Sequence, residues 1–247
     1  MISVIAPCLN EEKHLPSFLD SLTGQSLEPT WFWDGFELIV VDGGSRDRSR
    51  SIIDSFDDRL HIVKLIDETR NLGFVRNRGA RAARGEILFF TNTDAWLPSF
   101  LLPVIQLRMS TDNRLQALSG RTVPWNGGAL CSAAHHAFDL LRWGFSKLGK
   151  FSPSGNFLAV KSEAFQAVGG FSEKVVNEDG DLGARLISQG KCQFNLDLWA
   201  GHYAKRWRNG GLKTLLFYSY VFGNFSPVLK RILSSVELRS SREFNRK

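Results

Sequence analysis

Glu37-Leu38-Ile39-Val40-Val41-Asp42-Gly43-Gly44-Ser45-Arg46-Asp47 joins an uninterrupted apolar run to a glycine-rich, acidic loop. A run of that length, bounded by turn residues, reads as a buried strand. The same pattern opens the chain, where Ile2-Ser3-Val4-Ile5-Ala6 passes into Pro7-Cys8-Leu9-Asn10-Glu11-Glu12. It returns where Glu86–Thr91 passes into Asn92-Thr93-Asp94, and His61–Leu65 supplies one more apolar run. Helical spacing fills the intervals. Leu15, Phe18, Leu19 and Leu22 lie on one face of Glu12–Leu22, and Ile52, Ile53 and Phe56 on one face of Ser49–Phe56. Gly73–Arg84 is rich in Ala and Arg and stops at Gly85. The alternation β-α-β-α-β-α-β implies an α/β fold, with a mostly parallel central sheet and helices on both faces.

In such a sheet, ligands sit beyond the carboxyl ends of the strands. Three of these ends carry acids or amides: Asn10, Glu11 and Glu12; Asp42 and Asp47; Asn92 and Asp94. Each alone also suits a helix cap or a turn. Together they point to a shared crevice.

The second half is less regular. Gly120–Pro124 and Ser154–Val160 read as strands, and Ala129–Leu148, Ser162–Val168 and Glu178–Gln189 as helices. The adjacent His135 and His136 point in different directions on a helix, so they do not share a metal. Glu178, Asp179 and Asp181 make an acidic first helical turn.

Composition sets the class. The chain has 247 residues, 43% hydrophobic and 23% charged, which excludes disordered and fibrous proteins. Three widely spaced cysteines exclude a zinc cluster of the usual spacing and a disulfide framework, and favour a reducing, cytoplasmic setting. No signal peptide and no membrane-spanning run is expected. The net charge of +6 is uneven: residues 205–247 hold ten Lys/Arg against two Glu, a local +8, and leave −2 for the rest. The segment also carries Leu215-Leu216-Phe217-Tyr218-Ser219-Tyr220-Val221-Phe222. It reads either as a helix packed on the body with a solvated basic end, or as peripheral contact with the cytoplasmic face of a membrane. No nucleic-acid motif accompanies the charge, so nucleic acid is not expected as a partner.

Taken in order, the motifs resemble the inverting glycosyltransferases of family 2, which have the GT-A fold. They are Val4–Glu12, Val40–Asp47, Asn71-Leu72-Gly73 with Arg76-Asn77-Arg78-Gly79, Asn92-Thr93-Asp94, Asn156–Lys161, Gly169-Gly170-Phe171 and Glu178-Asp179-Gly180-Asp181-Leu182. The resemblance covers roughly residues 1–206 as one catalytic domain, with a basic, amphipathic helical tail at 207–247.

The resemblance implies transfer of one hexose from a UDP- or GDP-sugar to a glycan, lipid or small-molecule acceptor. Pro7, Asn10, Glu11, Asp42, Asn71, Arg76 and Thr93 would form the nucleotide site, with Arg76 toward the diphosphate. A divalent metal, Mg²⁺ or Mn²⁺, would neutralise that diphosphate, held by Asp94, by Asn92 and by His202. Asn92 departs from the family's Asp-x-Asp and contributes no charge, which implies weaker or altered metal dependence. Asp179 would be the base that deprotonates the acceptor hydroxyl, with Asn156, Glu178 and Arg206 near the sugars. Trp96, Trp125 and Trp199 are candidates for a sugar platform or for core packing. The family's processive Gln-x-x-Arg-Trp survives only as Arg206-Trp207, so polymerisation is not expected. Two other readings remain open: a sugar nucleotidyltransferase, and a degenerate member that binds without turnover.

Overall fold

The computed structural model describes residues 1–25, 33–69, 71–174 and 177–204. The expected tail at 207–247, and with it Arg206, lies outside the described residues.

The anticipated strands form. β1 (Ile2–Cys8), β2 (Phe36–Asp42), β3 (Ile62–Ile66) and β4 (Ile87–Phe90) pair in parallel in the order β3-β2-β1-β4. The crossovers are α1 (Leu15–Thr23), α2 (Ser49–Asp54) and α3 (Leu72–Ala82). Then follow β5 (Ala95–Trp96), α4 (Leu101–Thr111), β6 (Leu115–Pro124), α5 (Gly128–Lys147), β7 (Leu158–Lys161), α6 (Ser162–Ala167), α7 (Glu178–Leu186) and β8 (Lys191–His202). They extend the sheet to β3-β2-β1-β4-β7-β6-β8-β5. β7 runs antiparallel to both neighbours, β6 and β8 are parallel, and β5 closes the far edge antiparallel to β8. The sheet is therefore parallel through its first half and mixed beyond.

The apolar runs look continuous because both faces are covered, yet alternate residues still serve opposite sides. Ile2, Val4, Ala6, Leu38, Val40 and Phe89 enter one core with α1 and α4. Ile5, Ile39, Val41, Leu88 and Phe90 enter the other with α3, α6 and α7. α4 escapes a periodicity reading because Pro103 and Gln106 are buried along with Leu101, Leu102, Ile105 and Met109. β8 escapes it because polar Lys191, Gln193, Asn195 and Asp197 interrupt the strand.

α5 packs the other way round from an ordinary surface helix. Its inward residues are Cys131, His135, Asp139 and Arg142. Asp139 lies between Arg121 at 3.8 Å and Arg142 at 3.7 Å, and Thr122 Oγ1 is 3.4 Å from His135 Nδ1. Burial raises the Asp139 carboxyl from 3.8 to about 7, against the opposing pull of the two arginines. A carboxyl with a raised folded pKa holds its proton in the native state, so its contribution is lost as pH rises through 7. Asp139→Asn removes that titration. The stability of the variant relative to wild type should therefore improve between pH 5 and pH 8, read as urea midpoints. An unchanged difference between the two proteins would contradict the assignment.

Candidate active site

The loops after β1 and β2 are stitched together. Asn10 sits at φ 54°, a left-handed conformation that Asn tolerates. Its N–H donates to Ser45 Oγ at 3.0 Å, and its Oδ1 accepts from Arg46 N at 2.9 Å. Glu11 N donates to Ser49 Oγ at 2.9 Å, and Glu12 N to Asp47 at 3.0 Å. Asn10 thus spends its side chain on holding the loop.

Asp42 ends β2 and is buried. Its carboxylate accepts from Ser45 N and from Arg50 Nε at 2.6 Å. Asp67 holds the equivalent position one residue past β3, where it accepts from Thr69 N and Arg78 Nη1. Bonds from Thr69 and then Arg78 keep its pKa below the usual carboxylate value. Neither Arg50 nor Asp67 is singled out by the motifs, although Asp67 directly follows β3 much as Asp42 closes β2. Cys8, beneath this loop pair, is pushed up to about 12 by burial and by the charge of Asp42, which removes it as a thiolate nucleophile.

The segment after β4 is anchored at both ends. Thr93 Oγ1 donates to Pro7 O at 3.1 Å. Asn92 Nδ2 donates to Asn156 Oδ1, and Thr91 Oγ1 to Asn156 O at 3.1 Å. Asp94 O accepts from Tyr203 N at 3.2 Å, and Ala95 pairs with His202 across β5 and β8. Asp94 and His202 thereby lie one register step apart on adjoining segments. The His202 ring is buried 5.0 Å from that of His135, and its Nδ1 has no hydrogen-bond partner. Burial lowers its pKa to about 4, so the imidazole is neutral at pH 7, the form that ligates metals. The neutral His202 ring, with its unpartnered Nδ1, and the Asp94 carboxylate on the adjoining segment are each of a type that ligates a divalent ion. Among the described residues no group of three or more His, Cys, Asp and Glu forms a closed cage. An ion held there would complete its shell from water and phosphate.

Arg76 is only 2% exposed. Nη1 donates to Asp179 Oδ1 at 2.8 Å and to Glu178 Oε1 at 3.1 Å, and Nη2 donates to Gly155 O at 3.2 Å. The expectation aimed Arg76 at the diphosphate; its guanidinium is directed to the α7 carboxylates. A Cβ at Gly155 would collide with Arg76 and Asp179, so only glycine lets them approach.

Two sequence-distant motifs meet beside this group. Asn77 Nδ2 donates to Phe171 O, and Phe171 N returns a bond to Asn77 Oδ1, both at 2.9 Å. Asn71 caps α3 by accepting from Phe74 N, and donates to Glu173 O at 2.6 Å. Asn177 caps α7, and Asp181 pairs with Arg185 at 2.6 Å.

The three candidate tryptophans come together. Trp96 lies 5.6 Å from Trp125 and 5.5 Å from Trp199, and Trp125 faces Tyr203 at 6.3 Å. Trp125 is 51% exposed, which makes this cluster a surface as well as a packing unit.

A family model described as Glycosyl transferase family 2 matches residues 3–167. The putative glycosyltransferase EpsH of Bacillus subtilis (strain 168) is 33% identical over 99 residues, 39% of this chain and 26% of that protein. The poly(ribitol-phosphate) beta-glucosyltransferase of Bacillus spizizenii is 29% identical over 133 residues, 50% of this chain and 20% of that protein. Among solved structures, mannosyltransferase PcManGT from Pyrobaculum calidifontis, in complex with GDP-Man and Mn²⁺, gives a TM-score of 0.67 at 22% identity. That match covers 88% of this chain and 63% of that one. S. aureus TarS 1-349 in complex with UDP-GlcNAc gives 0.64 at 18% identity, covering 87% and 64%. The chain thus spans only part of each relative, and at these identities the solved structures establish a shared fold.

Removing one partner of a buried ion pair leaves an uncompensated charge. Arg76→Met should destabilise the protein by about 3 kcal/mol, whereas Asp179→Asn, which leaves Arg76 with Glu178 and Gly155, should cost about 1 kcal/mol. Urea unfolding of both variants checks the ranking. Equal losses would show that Glu178 does not share Arg76.

Proposed function

The chain belongs to glycosyltransferase family 2 and has the GT-A fold, and on that premise we propose that it moves one sugar from a UDP- or GDP-sugar to an acceptor with inversion. The observation that carries this reading is a bonded path. It runs from Asn92 through Asn156 to the adjoining Gly155, and on through Arg76 to Asp179. It links the segment suited to a diphosphate with the carboxylate suited to a base.

In the proposed reaction, Asp42 accepts from the edge of the nucleobase, and the stitched loops of Asn10 and Glu11 shape the ribose pocket. A divalent ion, when bound, supplies positive charge that stabilises the departing nucleoside diphosphate; Asp94 and His202 would hold it, with Asn92 beside them. Asp179 accepts the proton of the acceptor hydroxyl as that oxygen attacks the anomeric carbon. Arg76 fixes the direction of the carboxylate, a positioning role. A single displacement converts an α-linked donor into a β-linked product. Trp125 and Tyr203 offer aromatic faces for a sugar ring of donor or acceptor.

Mannosyltransferase PcManGT is described with GDP-Man and TarS with UDP-GlcNAc, so both nucleotide classes belong in the test. The acceptor is a glycan, a small molecule, or a hydroxyl or phosphate on a lipid. Three free cysteines fit a reducing, cytoplasmic setting, at the face of a membrane when the acceptor is lipid-borne.

Nucleoside diphosphate release from a panel of UDP- and GDP-sugars with Mg²⁺ or Mn²⁺ tests the proposal without an acceptor. One donor should be hydrolysed slowly, and Asp94→Ala and Asp179→Asn should each lower release by about 100-fold or more. Donor binding without release, in every metal and with a lipid acceptor screen, would favour a binding-only member.

A further inference from the structure

α5 buries His135, Asp139 and Arg142 and leaves a row of leucines exposed. Cys131, His135, Asp139 and Arg142 make the buried stripe against β6 and β8. At 100° per residue, the opposite side of the helix carries Leu130, Ala133, Ala137, Leu140 and Leu141, and Leu148 just past its end. Leu130 and Leu148 are each 76% exposed, and Leu140 and Leu141 are exposed as well. Leu130, Ala137, Leu141 and Leu148 fall nearly on one line, a straight apolar ridge about 27 Å long at 1.5 Å per residue. Ordinary surface helices show the reverse, so this side is built for something other than water.

Its surroundings identify the partner. The ridge is flanked by exposed Trp143 and Lys147, with Lys147 Nζ 5.6 Å from the Trp143 ring, and Lys150 follows the helix. The only acid on α5 is Asp139, and it is buried. Ala204 N is held by Asn126 Oδ1 at 2.9 Å, so Ala204 lies beside the start of α5, and the residues that follow it in sequence, 205–247, carry a net +8. A second copy would bring like charges together. We propose that the outer side of α5 docks on the surface of a bilayer containing anionic lipid, with the leucines at the acyl boundary and the lysines at the headgroups.

The placement matters for the chemistry. α5 begins three residues after Trp125, the exposed member of the aromatic cluster beside Asp94 and His202. Docking would therefore set that side of the site close to the lipid, and the acceptor would be lipid-borne. That last step rests on the transferase reading; the membrane contact does not.

The test uses the full chain with phosphatidylcholine vesicles, with and without phosphatidylglycerol. Wild type should co-sediment with the anionic vesicles. Leu130→Ser/Leu141→Ser/Leu148→Ser should lower partition by roughly tenfold or more, with melting temperature, oligomeric state and donor hydrolysis unchanged. Lys147→Glu/Lys150→Glu should weaken binding to anionic vesicles only. Wild type that ignores vesicles, or a serine variant that binds as wild type does, would overturn the proposal. A fall of several degrees in melting temperature would assign the ridge to residues 205–247, and loss of a dimer would assign it to a second copy; either result overturns it. Failure of donor hydrolysis in wild type would strike the transferase reading and leave the vesicle result standing.

Discussion

One buried cation organises the centre of this molecule. Arg76 has almost no contact with water, and an isolated charge there would be prohibitive. It is tolerated because α7 brings Glu178 and Asp179 to Nη1 and the 154–157 turn brings Gly155 O to Nη2. The constraint runs both ways. α3, the turn before β7 and the start of α7 must all be in place for the charge to be met, so the elements that carry the candidate base are fixed relative to the parallel half of the sheet. The Asn77–Phe171 bond pair repeats the tie one residue along α3. Gly170, at φ 70°, permits it, because a Cβ there would strike Asn77 Oδ1.

The two halves of the sheet divide the work. Parallel strands β1, β2 and β4 end together and present Asp42, Thr93 and Asp94 along one rim, where main-chain and side-chain bonds close their loops on one another. Antiparallel β7 starts at the same rim just after Asn156, whereas β8, which runs in the direction of β4, ends there with His202 and Tyr203. Polar residues from both halves of the sheet meet there because β7 reverses direction next to β4 and so begins where β4 ends.

Much of this was legible in the chain itself. Leu15, Phe18, Leu19 and Leu22 announced α1, and all four are buried. The apolar runs announced β1 to β4, and the polar residues after them announced the crevice. The order of motifs carried the family. α4 and β8 were not legible, because Gln106 and Pro103 are buried in one and polar residues alternate through the other. Asn71 and Asn10 were legible as polar residues near a site, but not as a helix cap and a loop staple.

By itself, the sequence determined the α/β class, the positions of the strand ends and the residue types that gather there, since period-2 and period-3.6 patterns are local properties of the chain. Only the tertiary structure decided that Arg76 meets Asp179, 103 residues away, that Trp96, Trp125 and Trp199 form one cluster, and that α5 faces inward with its charges. The physical reason is the same in each case. A periodic pattern says which residues share a face, but not what that face meets. α5 buries Asp139 and Arg142 because β6 supplies Arg121 and Thr122 to meet them, and its leucines are left to face outward.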